Sequence, residues 1–235
     1  MSAGDSIVVV GAGGLGCPVA LGLVEAGHAI RLVDDDTVEL SNLQRQVLYG
    51  VPDLGRPKVE VARERLLERF PDAAIATARA RLDWASADEL LGGARLVVDA
   101  TDDPTARFVV NDWALAHGVP AVLGGIHRFQ GLVMGVAPGA ACFRCLFEED
   151  QAGTAETCAQ VGVLGALAGL VGHLQVERAL ALLAGDPTAT GFVTTIDALL
   201  GRARHVAVAR ADDCQACGAR PAARRSALQL TSLSS

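Results

Sequence analysis

The sequence predicts an α/β protein with a Rossmann-like three-layer fold, whose parallel sheet is extended by antiparallel strands toward the C-terminus. Three observations lead to this prediction. Strand and helix patterns alternate through the first half of the chain, as a parallel sheet covered on both faces requires. A turn rich in glycine, 11–16, follows the first strand pattern directly. Two further strand patterns run into Asp34 and Asp99, at the strand ends where such sheets bind ligands.

The elements of the first half follow one another in regular order. Short runs rich in β-branched residues predict buried strands at 6–10, 30–33, 75–81, 96–99 and 121–123. Amphipathic segments predict helices at 14–26, 58–69 and 104–117. Pro104 stands in the first turn of the last of these, where its missing N–H is tolerated.

The regular alternation of strand and helix patterns ends after Gly124. Residues 130–137 alternate between apolar and polar, which is typical of an antiparallel or exposed-edge strand. A long apolar helix is predicted at 161–184, and a closing hairpin at 192–196 and 205–209. We expect a polar loop at 151–160 and a disordered tail at 219–235. One domain at 1–218 is therefore predicted, with a nucleotide-binding half at 1–124 and a second half at 125–218.

Composition limits the class of protein. The 235 residues carry a net charge of −7, which disfavours nucleic acid or an anionic membrane surface as the main partner. The apolar run at 161–183 is interrupted by Gln175, Glu177 and Arg178, so we expect no membrane span. The first strand pattern leaves no room for a signal peptide, so a cytoplasmic protein with reduced cysteines is expected.

The glycine turn has the form of a phosphate-binding loop. Gly11, Gly13, Gly14 and Gly16 lie between a strand and a helix, where the backbone approaches a phosphate and the helix N-terminus attracts it. Asp34 follows at the distance of a carboxylate that binds a ribose hydroxyl. By itself this pattern predicts a dinucleotide site and an NAD-dependent oxidoreductase.

The residues after the second strand favour a triphosphate instead. Asn42 and Arg45 offer hydrogen-bond donors for phosphate oxygens, and Lys58 places a cation at the start of the next helix. Asp99, Asp102 and Asp103 are expected in the same crevice, where carboxylates suit Mg²⁺. A purely structural interpretation also exists, because Ser41 and Gln44 have the spacing of a capping box and Asp103 that of an N-cap.

These features occur together in one known family. Seven matching motifs occur between residues 7 and 217, in the same order as in that family: G-A-G-G-L-G, D-D-D-T-V-E-L-S-N-L-Q-R-Q, G-R-P-K, D-A-T-D-D, C-F-R-C, T-C-A-Q-V-G-V and C-Q-A-C. On these residues the chain resembles the MoeB/ThiF/HesA family. Its members are adenylyltransferases of the ubiquitin-activating type that act on small sulfur-carrier proteins.

The resemblance implies the reaction and the role of each residue. The carboxylate of a carrier ending in two glycines would attack the α-phosphate of ATP, giving an acyl-adenylate before thiocarboxylate formation. Arg45, Lys58 and Asp102 would be catalytic, Asp102 through Mg²⁺. The residues implied in ATP binding are Gly11, Gly13, Gly14, Gly16, Asp34, Asp36, Asn42, Arg45, Gln46, Lys58 and Asp102. The family usually has Asn at the position of Asp103, which is a departure.

Four of the six cysteines form two pairs with metal-ligand spacing. Cys142 and Cys145 are separated by two residues, as are Cys214 and Cys217. Four thiolates make a closed structural Zn²⁺ site, whereas a redox pair is the alternative for either pair alone. The second half of the domain would then hold the zinc site, and by resemblance the carrier.

The other two cysteines stand alone. Cys158 matches a cysteine that in some relatives links covalently to the carrier or handles sulfur, so it is a candidate catalytic residue; an ordinary exposed cysteine is the alternative. Cys17 is predicted to be a small core residue.

Further expectations follow from the resemblance. Relatives carry a longer, basic N-terminal segment that reaches the partner subunit, whereas six residues precede Ile7. No rhodanese-like domain follows Cys217, so sulfur would come from a separate sulfurtransferase. A homodimer is implied. A non-catalytic adaptor that binds a carrier without activating it is the third hypothesis, beside the adenylyltransferase and the oxidoreductase.

Overall fold

The computed structural model describes residues 6–147 and 162–218. They contain one eight-stranded sheet with the strand order β3-β2-β1-β4-β5-β6-β7-β8. In chain order the strands are β1 (Ser6–Val10), β2 (Ile30–Val33), β3 (Ile75–Ala78), β4 (Ala94–Asp99), β5 (Ala121–His127), β6 (Gln130–Val136), β7 (Phe192–Asp197) and β8 (Arg202–Ala207). The first five strands pair in parallel and the last three are antiparallel to their neighbours.

Helices cover both faces of the sheet, so the predicted three-layer fold is confirmed. They are α1 (Gly16–Glu25), α2 (Lys58–Arg69), α3 (Ala87–Leu91), α4 (Pro104–His117) and α5 (Gly165–Leu183). Successive residues of β1 point to opposite faces: Ile7 packs with the core of α1, α2 and α5, and Val8 with that of α3 and α4. Register aligns Val10 of β1 with Val33 and Asp99, so these carboxyl ends meet at one edge.

Most predicted elements are present, with shifted ends. The bounds of α2 and α4 are as predicted, β3 ends at Ala78, and α5 begins at Gly165. The five-residue α3 was not predicted, because so short a helix has little periodicity. Of the two alternatives for 130–137, the antiparallel strand is confirmed and the exposed edge was wrong, because β6 pairs antiparallel with both β5 and β7. The proposed boundary at residue 124 lies inside β5, so the two halves share one sheet.

Helix α5 has the length and apolar composition of a membrane span. It contacts α1, β5 and β6, and its buried residues include Leu167, Val171 and Val176. Apolar side chains of α5 therefore pack against the sheet and against α1. Cys158, the predicted polar loop and the predicted tail lie outside the described residues.

Candidate nucleotide-binding site

The glycine loop joins β1 to α1 by a very tight turn. Gly11 has φ of +93°, and a Cβ there would lie 2.7 Å from the carbonyl oxygen of Ala100. A Cβ at Gly16 would overlap the carbonyl oxygen of Gly11. Only glycine fits at both positions, because the loop passes against β4 and then turns back on itself. This leaves Gly13 and Gly14 at the wall of a cavity of about 370 Å³.

Asp34 fixes the loop as well as facing the cavity. Its Oδ2 accepts a 2.7 Å hydrogen bond from the Ala12 N–H, and its Oδ1 one of 2.8 Å from the Asp36 N–H. Burial raises the pKa of Asp34, although Lys58 and the two backbone donors act in the opposite direction. The carboxylate has lone pairs left for a ribose hydroxyl, so the predicted position is compatible with that role.

Tyr49 holds the same peptide from the other side and was missed in the sequence. Its Oη donates a 2.7 Å hydrogen bond to the carbonyl oxygen of Ala12, and the Cys17 Sγ lies 3.6 Å from that oxygen. Tyr49 is buried, and burial raises its pKa, so it remains a hydrogen-bond donor. No local pattern indicates this contact, because 37 residues separate the partners.

The predicted cations lie at the cavity, each already in contact with a polar partner. Arg45 donates from Nη2 to the Asn42 Oδ1 at 2.9 Å. Lys58 Nζ lies 2.6 Å from the Asp36 Oδ2, and its side chain is only 6% exposed. Asn42, Arg45, Lys58 and Gln46 all line the cavity. The buried Oε1 of Gln46 has no hydrogen-bond partner within the described residues. An unpaired acceptor at this wall fits a ligand that brings donors, such as a nucleoside.

The acidic residues divide differently from expectation. Asp102 is exposed and lines the cavity, as predicted. Asp99 does not: it is fully buried and accepts a 2.9 Å hydrogen bond from the Arg107 Nε and one of 2.7 Å from the Thr101 hydroxyl. Burial raises the pKa of Asp99, while Arg107 opposes that shift. Asp99 therefore anchors Arg107 and does not face the nucleotide cavity.

Carboxylate oxygens of Asp34, Asp35 and Asp36 lie within 4.8 Å of one another, a spacing compatible with a metal ion. Asp35 and Asp36 are exposed, and Asp34 is partly buried. Of the expected group, Asp102 and Asp103 line the cavity, whereas Asp99 is buried and does not.

The two capping alternatives have opposite outcomes. Ser41 lies in a 3₁₀ turn without a side-chain cap, and its hydroxyl contacts the Glu39 carboxylate, so the capping box was wrong. Asp103 does cap α4, since its Oδ1 accepts a 2.8 Å hydrogen bond from the Thr105 N–H. Its Oδ2 lies 2.9 Å from the Arg81 Nη2, an arginine that the sequence did not single out.

A second cavity, of about 580 Å³, adjoins the first. Asp102 and Ile126 line both, so the two cavities meet at the end of β4 and along β5. The inner wall carries Arg107, whose side chain is 11% exposed and whose guanidinium lies over Gly125. Arg202 and Arg204 of β8 line the outer part.

The four predicted zinc ligands come together. Their sulfurs lie within 4.8 Å of one another, with Cys142 3.6 Å from Cys214 and Cys145 3.4 Å from Cys217. A tetrahedral Zn²⁺ with its usual bond length separates sulfurs by about 3.8 Å, so the cluster is compatible with structural zinc. Burial raises the pKa of Cys214, but backbone N–H groups of Cys217 and Ala216 outweigh it and lower the pKa to about 7.

Comparisons with known proteins show the family and agree with the fold. The ThiF family model matches residues 3–217. A sulfur carrier protein adenylyltransferase of Thermus thermophilus is 41% identical over 229 residues, covering 93% of this chain and 84% of the relative. The SAMP-activating enzyme E1 of Haloferax volcanii is 40% identical over 216 residues, covering 90% and 80%.

The molybdopterin-synthase adenylyltransferase of Escherichia coli is 38% identical over 219 residues, covering 90% of this chain and 86% of the relative. The crystal structure of E. coli MccB with ATP shares the fold, with a TM-score of 0.80 at 20% identity, covering 91% of this chain and 67% of that one. The chain belongs to the ThiF family and is an adenylyltransferase of the ThiF/MoeB type.

Proposed function

We propose that this enzyme adenylylates the C-terminal glycine carboxylate of a small ubiquitin-like sulfur-carrier protein, using ATP. The relatives named as sulfur-carrier adenylyltransferases support the class of partner. The observation that carries the proposal is the junction of the two cavities at Asp102 and Ile126. A narrow peptide end in the second cavity can thus reach a phosphate in the first.

ATP would occupy the first cavity. Asp34 would bind the ribose and the loop at Gly11, Gly13, Gly14 and Gly16 the adenylate phosphate. Asp36, Asn42, Arg45, Gln46, Lys58 and Asp102 complete the proposed ATP-binding set, which the cavity lining supports for all members except Gly16. Gly16 instead permits the close turn of the loop.

The carrier tail would occupy the second cavity. Arg107 donates from Nε to Asp99 and from Nη2 to the carbonyl oxygen of Thr101, so its guanidinium is held in place at the wall of the second cavity. A Cβ at Gly125 would lie 3.1 Å from the Arg107 Nη1, so glycine at this position allows the guanidinium to pack against β5. A tail that ends in two glycines fits such a passage, because it brings a carboxylate without side chains.

The chemical step follows from charge and alignment. A carboxylate oxygen of the tail forms a bond to the α-phosphorus, the bond from that phosphorus to the bridging oxygen breaks, and pyrophosphate leaves with the electron pair. The carboxylate is already an anion, so no base is needed to activate it. Arg45 and Lys58 would stabilise the charge that develops on the departing phosphates, which is the larger part of the rate enhancement.

Two metal ions complete the proposal. Asp102 would hold Mg²⁺, which neutralises triphosphate charge when bound. Cys142, Cys145, Cys214 and Cys217 would hold structural Zn²⁺, which cross-links residues before and after β7 and β8 and leaves no ligand position open.

The remaining partners are proposed from the family. Sulfur at the sulfide level, supplied by a separate sulfurtransferase, would attack the acyl carbon and displace AMP to give the thiocarboxylate, and Cys158 is a candidate for a covalent link to the carrier. We also propose a cytoplasmic homodimer.

Pyrophosphate exchange tests this function. With ATP and the carrier encoded nearest in the genome, labelled pyrophosphate should enter ATP, and removal of the carrier's last glycine should abolish exchange. Arg45→Ala should abolish it as well, whereas Arg69→Ala, at the exposed end of α2, should not. Carrier binding without exchange would establish the adaptor instead. Binding of NAD rather than ATP would contradict the proposed reaction.

A further inference from the structure

We propose that Arg81 is a positioning residue for nucleotide binding, which neutralises Asp103 at the wall of the nucleotide cavity. Arg81 follows β3 and Asp103 precedes α4, and their side chains meet across the cavity at 2.9 Å. The proposal rests on the use of ATP and is independent of which carrier is activated.

The positive charge of Arg81 offsets part of the negative charge that lines the nucleotide cavity. Six carboxylates line it, those of Asp34, Asp35, Asp36, Glu39, Asp102 and Asp103, against the three cations Arg45, Lys58 and Arg81. Lys58 is already paired with Asp36. A triphosphate must therefore enter a site with an excess of negative charge, and each carboxylate without a partner opposes its entry.

Asp103 cannot turn away from the cavity when Arg81 is removed. Its Oδ1 is held by the N–H of Thr105 at the start of α4, so the carboxylate stays in place. Arg81 itself is 71% exposed, and a surface ion pair of this kind contributes little to folding. Loss of Arg81 should therefore leave the fold intact and expose a fixed anion beside the nucleotide.

The charge hypothesis predicts a rescue. Arg81→Ala should raise the Kd for ATP about threefold to tenfold, because the Asp103 carboxylate would then repel the phosphates of ATP at the cavity wall. The affinity for adenosine, which has no charge, should be unchanged. The double variant Arg81→Ala/Asp103→Asn should return the Kd for ATP to within about twofold of wild type, because Asn caps a helix as well as Asp does.

The measurement is calorimetric titration of the enzyme with ATP and with adenosine, at low and high salt, without carrier. Arg79→Ala is the matched control, an exposed arginine two residues earlier that does not line the cavity. High salt should shrink the defect of Arg81→Ala. Failure of the double variant to recover, or an equal loss of adenosine binding, would overturn the proposal, since Arg81 would then act by direct contact or by structure. An unchanged Kd for ATP in Arg81→Ala would overturn it as well.

Discussion

Lys58 Nζ and Asp36 Oδ2 form a 2.6 Å ion pair at the wall of the nucleotide cavity. The Lys58 side chain is nearly buried, whereas that of Asp36 is 65% exposed. The solvated carboxylate of Asp36 thus holds the Lys58 ammonium group at the cavity wall. Asp36 therefore lies where it can orient Lys58, and the two residues are expected to contribute differently to catalysis.

Replacement of Lys58 by Met should separate catalysis from folding. The rate constant for pyrophosphate exchange should fall about 100-fold or more, because a cation next to the departing phosphates is lost. Stability should change little, since Met retains the apolar stem and Asp36 remains solvated. Asp36→Asn should lower the rate by about threefold to tenfold only, since the cation remains. Steady-state exchange and thermal unfolding measure both effects, and equal losses in the two variants would contradict the assignment.

Tyr49→Phe should weaken ATP binding while the protein remains folded. It removes the Oη that holds the Ala12 carbonyl, which is one of the side-chain contacts that orient the glycine loop. We expect a loss of about 1 kcal/mol in the free energy of unfolding. The KM for ATP should rise about threefold to tenfold, and the KM for the carrier should be unchanged. A parallel rise of both KM values would show that Tyr49 supports the fold in general.

Removal of zinc should destabilise the second half of the domain. We expect about one zinc per chain by elemental analysis, and its loss on Cys217→Ser. The thermal midpoint should fall by about 5–10 °C, equivalent to about 2–3 kcal/mol, because strands and loops far apart in the sequence lose their cross-link. Cys17→Ala is the control, a cysteine outside the cluster that should leave the zinc content unchanged. Full zinc content in Cys217→Ser would refute the four-cysteine site.

Asp53 should make stability depend on pH. Burial raises its pKa, but the Gly50 N–H at 2.9 Å and Arg65 at 3.0 Å outweigh that effect, so the pKa is lowered in the folded protein. A lowered pKa adds stability above the unfolded value of about 3.9, and this stability is lost as the pH falls through the folded pKa.

Asp53→Asn should therefore cost about 1–3 kcal/mol at pH 7, and the difference from wild type should shrink in acid. Denaturant unfolding from pH 7 down to pH 3 measures it. Glu64→Gln is the control, because Glu64 is exposed and pairs with Arg56 at the surface. A difference that is constant over this range would exclude ionisation of Asp53 as the cause.

Several features could be predicted from the sequence because they depend on local backbone requirements. The positions of Gly11 and Gly16 tolerate no Cβ, so the spacing of glycines in the sequence predicts the loop. The residues Asp34, Asn42, Arg45, Gln46 and Lys58 follow at the ends of predicted elements, and the direction of a parallel sheet places them at one edge. The pairs of cysteines likewise have the spacing of a chelating turn.

By itself, then, the sequence determined the three-layer class, the nucleotide loop, the edge of the sheet that carries the site and the chelating cysteine pairs. The tertiary structure alone decided that Asp99 is buried against Arg107, that Tyr49 holds Ala12, and that Arg81 meets Asp103. The physical reason is that strand and turn patterns reflect local geometry, whereas the partner of a buried donor or charge depends on which distant segment packs against it.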